Sequence, residues 1–212
     1  FGKEAFLAES PQFYKQMLVG AGFERVFELA PVFRAEEHDT PFHLNEYVSL
    51  DFEMGFVKDE TDVMKMTESA IHAMFERVSK NNQSDLELLG VKDFAPPKLP
   101  IPVVHYWDVP STIQSMGGKF DDPLADLGRE DEGNLCAWAR EKHGSDFVFV
   151  DNYPADKRPA YTMPYEKDAK YTRGYDLLYK GLEIVTGGQR IHGHDQLKAA
   201  FEKKGYRPED FE

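Results

Sequence analysis

The spacing of apolar residues divides the chain into helical and extended stretches. Ser10-Pro11 predicts a helix start, with Ser as the N-cap and Pro at the first helical position, where its missing N–H costs nothing. That helix is expected to run to about Ala21 and to stop at Gly22. A strand follows over residues 26–34, and a polar loop over 35–44. Val48, Leu50, Phe52, Met54 and Phe56 then alternate with Ser49, Asp51, Glu53 and Gly55, the period of a strand with one apolar and one acidic face. Val63, Met64, Met66, Ala70, Ile71, Met74, Phe75 and Val78 recur at helical spacing and predict an amphipathic helix over 61–80.

The pattern breaks between 83 and 146. Pro96-Pro97, Pro100, Pro102, Pro110 and Gly117-Gly118 interrupt it, and only 134–143 reads as a short helix, ending at Gly144. This segment is expected to be an insertion or subdomain and not a continuation of a sheet. Residues 147–150 are apolar without alternation, a short buried strand. Residues 175–179 and 182–185 flank Lys180-Gly181 and predict an antiparallel hairpin. Thr186-Gly187-Gly188 reads as a break, and 195–204 as a last helix closed by Gly205 and Pro208. Hairpins and helices follow one another irregularly, with no βαβ series and no repeat. The fold class is therefore α+β, an antiparallel sheet flanked by helices.

Composition narrows the function classes. The 212 residues are 41% hydrophobic and 13% aromatic, a globular composition. The formal charge of −13 gives no support for a surface that grips nucleic acid or an anionic membrane as a whole. No apolar run approaches the ~18–20 residues that span a bilayer, and no secretory leader is expected behind Phe1-Gly2-Lys3-Glu4. Cys136 is the only cysteine, which excludes an intramolecular disulfide and a multi-cysteine zinc site. A soluble, cytoplasmic protein is expected.

Five groups of residues could carry chemistry. Arg34 offers a planar fork of donors at a strand end, with Glu36 on the same face. Taken alone, a surface ion pair explains both. Ser49, Asp51 and Glu53 share the acidic face of the 48–56 strand, where a solvated sheet face is the simpler account. Asp176 and Glu183 flank the hairpin turn, either as a carboxylate pair that wants a hard cation such as Mg²⁺ or as two solvent-facing acids. In Thr186-Gly187-Gly188-Gln189-Arg190-Ile191-His192 the glycines would let a ligand approach the backbone and Arg190 would clamp an anion, unless this is an ordinary glycine-rich turn. Gln12 and Lys15 could grip a carboxylate, or could simply be exposed polar groups on a surface helix. The seven histidines form no convincing metal set, and Cys136 reads as packing.

Taken together and in order, these segments resemble the catalytic domain of class II aminoacyl-tRNA synthetases, most closely aspartyl-tRNA synthetases of the archaeal/eukaryotic type. Phe33-Arg34-Ala35-Glu36 with His43-Leu44-Asn45-Glu46 is similar to class II motif 2. Leu7-Ala8-Glu9-Ser10-Pro11-Gln12-Phe13-Tyr14-Lys15-Gln16 is similar to the aspartate-recognition segment. Tyr175-Asp176-Leu177-Leu178, Gly181-Leu182-Glu183-Ile184 and Gly187-Gly188-Gln189-Arg190-Ile191-His192 resemble the metal, ATP and amino-acid segment. Asp151-Asn152-Tyr153-Pro154, Arg158-Pro159 and Tyr161-Thr162-Met163-Pro164 occur in the same order in that family.

The resemblance implies an ATP- and Mg²⁺-dependent activation of L-aspartate, followed by transfer to tRNA. Arg34 and Glu183 would be the catalytic residues. Arg34, Glu36, His43, Leu44 and Glu183 would bind ATP. Gln12, Lys15, Arg34, Thr186 and Arg190 would bind aspartate, and Asp176, Glu183 and Thr186 would hold the metal. Lys15, where asparaginyl enzymes usually carry an apolar residue, and Asp51, where they tend to carry Glu, imply aspartate. Phe42 departs from the pattern, which commonly has Arg before the loop His. The implied acceptor is tRNA(Asp), with tRNA(Asn) as a further acceptor, and the full-length enzyme is expected to be a homodimer off the membrane. Motif 1, motif 3 and an anticodon-binding domain are expected beyond these residues. The chain would then be the middle of a catalytic domain, inactive alone, with residues 1–82 and 147–212 as core and 83–146 as insertion. A synthetase-derived paralogue (asparaginyl-tRNA synthetase or asparagine synthetase-like) and a non-catalytic module that retains the fold are the alternatives.

Overall fold

The computed structural model describes residues 2–36 and 44–207. It divides into two compact units, Phe1–Val57 and Lys58–Glu212.

The first unit holds helix α1 (Gln12–Gly20) and strands β1 (Arg25–Phe33) and β2 (Glu46–Met54). Pro11, not Ser10, is the N-cap of α1, though Ser10 Oγ still accepts from the Gln12 N–H at 3.4 Å. The two strands pair antiparallel, with Phe27 opposite Phe52, Leu29 opposite Leu50 and Pro31 opposite Val48. Alternation puts these six residues on one face. That face is open, with Phe27 72%, Leu29 64% and Val48 71% exposed. The acidic face of β2 is the covered one, and Lys15 of α1 reaches it while only 6% exposed. The solvated-face reading of Ser49, Asp51 and Glu53 is thus reversed: the polar side is the half-buried side.

The second unit is a four-stranded sheet in the order β3 (Val103–His105), β4 (Phe147–Asp151), β5 (Gly174–Tyr179), β6 (Leu182–Gly188). β3 and β4 run parallel, and the other pairs are antiparallel. Side-chain alternation sorts the core onto two faces. Phe147, Phe149, Tyr175 and Leu177 pack with Met64 and Ile71 of α2 (Glu60–Asn81). Val148, Val150 and Leu178 pack with Val109 and Ile113 of α4 (Val109–Ser115) and with Leu135, Cys136 and Ala139 of α5 (Arg129–His143). β4 is buried along its whole length, as its unbroken apolar run requires. Short α3 (Gln83–Leu88) follows α2, and α6 (His194–Lys203) ends the described fold. Among the described residues no helix is long and apolar enough to cross a membrane.

Three features of this unit depart from the pattern read along the chain. β3 joins the sheet from within the proline-rich segment, and Pro102 O accepts from the Phe149 N–H at 2.9 Å. Three residues are too few to display a period of two. α5 begins earlier than its apolar spacing suggests, because its first turn is Glu130, Asp131 and Glu132, acids that suit a helix N-terminus but carry no apolar signal. Thr186, Gly187 and Gly188 continue β6 and do not break it. A Cβ on Gly187 would lie 2.7 Å from the Tyr175 ring, and one on Gly188 2.6 Å from the Arg173 carbonyl oxygen. These glycines make room for the chain's own packing, and the glycine-rich turn is instead the end of a strand. The hairpin turn is as expected: Lys180 (φ 52°) and Gly181 (φ 80°) both take the positive φ of a type I′ turn.

At the end of β4 the Asp151 carboxyl is 4% exposed and 2.6 Å from His105 Nδ1. Burial pushes it up to about 6, against the hydrogen bond and charge of His105. A raised carboxyl favours the low-pH fold, and its contribution is lost as pH climbs from the unfolded value toward the folded one.

Two stability predictions follow from this packing. Gly188→Ala should cost ~1–3 kcal/mol in urea unfolding, whereas Gly133→Ala, a helical position with nothing near its added Cβ, should gain ~0.5–1 kcal/mol. Equal effects would contradict the packing role of Gly188. Between pH 4 and 7 the wild type should lose roughly 2–3 kcal/mol of unfolding free energy relative to Asp151→Asn. A pH-independent difference would contradict the burial of an ionisable Asp151.

Candidate functional site

In the first unit, Gln12 and Lys15 are three apart on α1 and so share a helix face. That face meets Ser49, Asp51 and Glu53, which alternate on β2. Lys15 Nζ lies 2.9 Å from Asp51 Oδ1 and 3.6 Å from Glu53 Oε2. Gln12 Nε2 donates to Glu53 Oε2 at 3.2 Å, and Ser49 Oγ donates to Asp51 Oδ2 at 2.7 Å. Two groups that the sequence offered separately are therefore one cluster. Burial pushes the Asp51 carboxyl up, but hydrogen bonds from Lys15 and Ser49 and the charges of Lys15 and Arg34 outweigh it and hold it below its ordinary value. Asp51 is thus favoured in its ionised form beside the buried Lys15.

Arg34 leaves the end of β1, where its N–H donates to Asn45 O at 2.9 Å. Its guanidinium centre stands 5.6 Å from the Tyr47 ring. With Glu9, Ser10, Ala35 and Glu36 it lines an open hollow of ≈340 Å³. Arg34 and Glu36 thus share one surface, as their spacing implied. Leu44 is 54% exposed. His43 and Phe42 lie outside the described residues.

In the second unit, Asp176 sits in the middle of β5 with its side chain 5% exposed, directly opposite Thr186 of β6. Glu183 lies further along β6, past an irregularity in the pairing at Leu177/Leu178. A residue that periodicity did not single out closes the group. Arg158 Nη2 donates to Asp176 Oδ2 at 2.5 Å, and Nη1 donates to Thr186 Oγ1 at 3.2 Å. The guanidinium carbon lies over the Tyr153 ring, 3.8 Å from its centre. Burial works against the Arg158 charge, but Asp176 prevails and holds it firmly protonated. Asp176 Oδ1 and Arg158 Nε are buried with no hydrogen-bond partner. Glu183 faces solvent at the strand, yet crowding by surrounding protein and the charge of Asp176 both push its carboxyl up, with Arg158 opposing. Glu132 at the start of α5 is pushed the same way, first by burial.

The donor set suits a hard cation: two carboxylates and a hydroxyl, with one buried carboxylate oxygen left as an unused acceptor. Among the described residues no group of three or more His, Cys, Asp or Glu gathers as a metal site. A cation held by Asp176, Glu183 and Thr186 would need further oxygens, from water or from a ligand, to fill its shell. The Arg190 guanidinium carbon lies over the Tyr161 ring, 4.0 Å from its centre. The signal for Arg158 was indirect: a carboxylate in an otherwise apolar strand must find a cation, but nothing in the spacing says which.

The sequence family described as tRNA synthetases class II (D, K and N) matches residues 2–212. The aspartate–tRNA(Asp/Asn) ligase of Aeropyrum pernix is 45% identical over all of this chain and 48% of its own length. The aspartate–tRNA(Asp) ligase of Pyrococcus horikoshii is 41% identical, again over all of this chain and 48% of its own length. The chain thus spans about half the length of these relatives. Among solved structures, an aspartyl-tRNA synthetase from Entamoeba histolytica is similar at a TM-score of 0.87 and 32% identity, covering 97% of this chain and 42% of that one. An asparaginyl-tRNA synthetase from Pyrococcus horikoshii is similar at a TM-score of 0.82 and 27% identity, covering 100% of this chain and 48% of that one. On the match to nearly its whole length, the chain belongs to the class II tRNA synthetases of the D, K and N type.

Proposed function

We propose that this chain is the central part of the catalytic domain of an aspartate–tRNA ligase, which activates L-aspartate with ATP and transfers it to tRNA. Family membership supports the reaction class. The observation that carries the choice of amino acid is the burial of Lys15, 2.9 Å from Asp51 Oδ1. Its ammonium already meets Asp51 and Glu53, and as a charged donor it favours a side-chain carboxylate over an amide as a further acceptor. Relatives 39–45% identical to the chain bear aspartate–tRNA ligase names, which agrees with this choice.

In the first step a carboxylate oxygen of aspartate attacks the α-phosphorus of ATP. The bond to the bridging oxygen breaks, and pyrophosphate leaves. No side-chain nucleophile takes part, so positioning and charge stabilisation do the work. Arg34 presents its fork to the α-phosphate and to the attacking carboxylate. Glu36 and Leu44 serve the nucleotide, and His43 the terminal phosphates. Gln12, Lys15, Thr186 and Arg190 hold aspartate, with Lys15 and Arg190 toward its side-chain carboxylate. Asp176, Glu183 and Thr186 hold Mg²⁺, which when bound offsets the phosphate charge. In the second step a ribose hydroxyl of tRNA(Asp) attacks the carbonyl carbon of the aspartyl-adenylate, the bond from that carbon to the phosphate oxygen breaks, and AMP leaves. Names that include both Asp and Asn among the relatives make tRNA(Asn) a further acceptor to test. We further propose that 1–82 and 147–212 form the catalytic core, that 83–146 is an insertion which adds β3 to the sheet and packs α4 and α5 against it, and that the full-length protein works as a cytoplasmic homodimer.

Aspartate-dependent exchange of pyrophosphate into ATP by the intact protein tests this reading. Arg34→Ala and Glu183→Ala should each lower exchange by roughly a hundredfold or more, with thermal unfolding little changed. Near-normal exchange in either variant would remove these residues from the site. Lys15→Leu should lose the preference for aspartate over asparagine. Unchanged discrimination would contradict its role.

A further inference from the structure

Arg158 has no place in the roles given above, yet it touches two of the three groups assigned to the metal. Its Nη2 donates to Asp176 Oδ2 and its Nη1 to Thr186 Oγ1, and its charge also acts on Glu183. It is not a mobile surface arginine. Its side chain is 15% exposed, one ring packs under the guanidinium plane, and Nε is buried without a partner. The ion pair and the ring hold the guanidinium at the carboxylate.

We propose that Arg158 is the resident cation of the Asp176–Glu183 site, and that it makes divalent-ion binding conditional on the nucleotide. The inference rests on the reading of Asp176, Glu183 and Thr186 as the metal group. Two carboxylates and one fixed guanidinium leave a small net negative charge. A bare divalent ion must then share the carboxylates with a cation already hydrogen-bonded to one of them, and it is repelled by that cation at short range. The phosphates of ATP bring the missing negative charge, so the ion binds well only as the ATP complex. In the meantime Arg158 stabilises a carboxylate that would otherwise lie buried and unpaired, while leaving Asp176 Oδ1 unused as an acceptor. This role predicts a sign opposite to that of a residue that merely orients the metal ligands. Removing an orienting residue weakens bare-metal binding, whereas removing a resident cation strengthens it.

The test is a Mn²⁺ titration of the intact protein followed by electron paramagnetic resonance, with thermal unfolding in EDTA and in Mn²⁺ alongside. Without nucleotide, Arg158→Met should bind Mn²⁺ at least tenfold more tightly than wild type and should be stabilised by it. Arg158→Lys, which keeps the charge, should stay near wild type, and adding Asp176→Asn to Arg158→Met should abolish the gain. Equal or weaker Mn²⁺ binding by Arg158→Met would overturn the proposal. If Arg158→Met is unfolded in EDTA, refolding on addition of Mn²⁺ supports the proposal, and failure to refold in Mn²⁺ overturns it. A second titration with a methylene-bridged ATP analogue separates this inference from the reading beneath it. If Asp176→Asn leaves Mn²⁺ binding with the analogue intact, the metal-site reading itself is wrong. If Asp176→Asn weakens that binding but Arg158→Met gains nothing, only the resident-cation role falls.

Discussion

A carboxylate in the middle of a doubly covered strand is the constraint around which the second unit is built. Tyr175, Leu177 and Leu178 are almost fully buried on β5, and Asp176 lies among them. An uncompensated charge there would cost several kcal/mol. The irregular stretch between β4 and β5 meets that cost by delivering Arg158, braced on Tyr153, to Asp176 Oδ2 and Thr186. The compensation is incomplete, because Asp176 Oδ1 has no partner. A fold optimised only for stability would place an apolar residue at this position. Keeping an ion pair with an unused oxygen makes sense when that oxygen has a ligand to meet.

The first unit repeats the pattern on a smaller scale. Its two-stranded sheet covers its polar face and opens its apolar one, the reverse of what burial of apolar area favours. Lys15, Asp51, Glu53, Gln12 and Ser49 satisfy one another on the covered side. Each unit thus holds a lysine or arginine in a nearly dry position, matched to carboxylates by short hydrogen bonds. Such clusters are rigid and keep their charges in place, which is what recognition of a charged amino acid and a nucleotide requires.

Much of this was legible along the chain, and the reasons are specific. The 61–80 helix, the 48–56 strand and the Lys180-Gly181 hairpin rest on long periodic runs or on a turn that demands positive φ. β3 and the first turn of α5 were missed because three residues carry no period and charged residues carry no apolar one. The packing need at Gly187 and Gly188 is invisible along the chain, because their neighbours, the Tyr175 ring and the Arg173 carbonyl, are brought close only by strand pairing. Arg158 and the His105–Asp151 pair depend on contacts between segments 18 and 46 residues apart, which no local pattern encodes. The family resemblance placed Asp176, Glu183, Thr186, Gln12 and Lys15. Only the structure joined Gln12 and Lys15 to Asp51 and Glu53, and Asp176 and Thr186 to Arg158.

The central claim is that these residues recognise an activated aspartate. Its most direct test is calorimetric binding of the non-hydrolysable sulfamoyl analogue of aspartyl-adenylate to the intact protein, compared with the asparaginyl analogue, with Mg²⁺ present. The account predicts that the aspartyl analogue binds at least a hundredfold more tightly, since ~2.7 kcal/mol is within what charge-assisted contacts to a carboxylate contribute over those to an amide. Equal affinity for the two analogues, or tighter binding of the asparaginyl one, would contradict it.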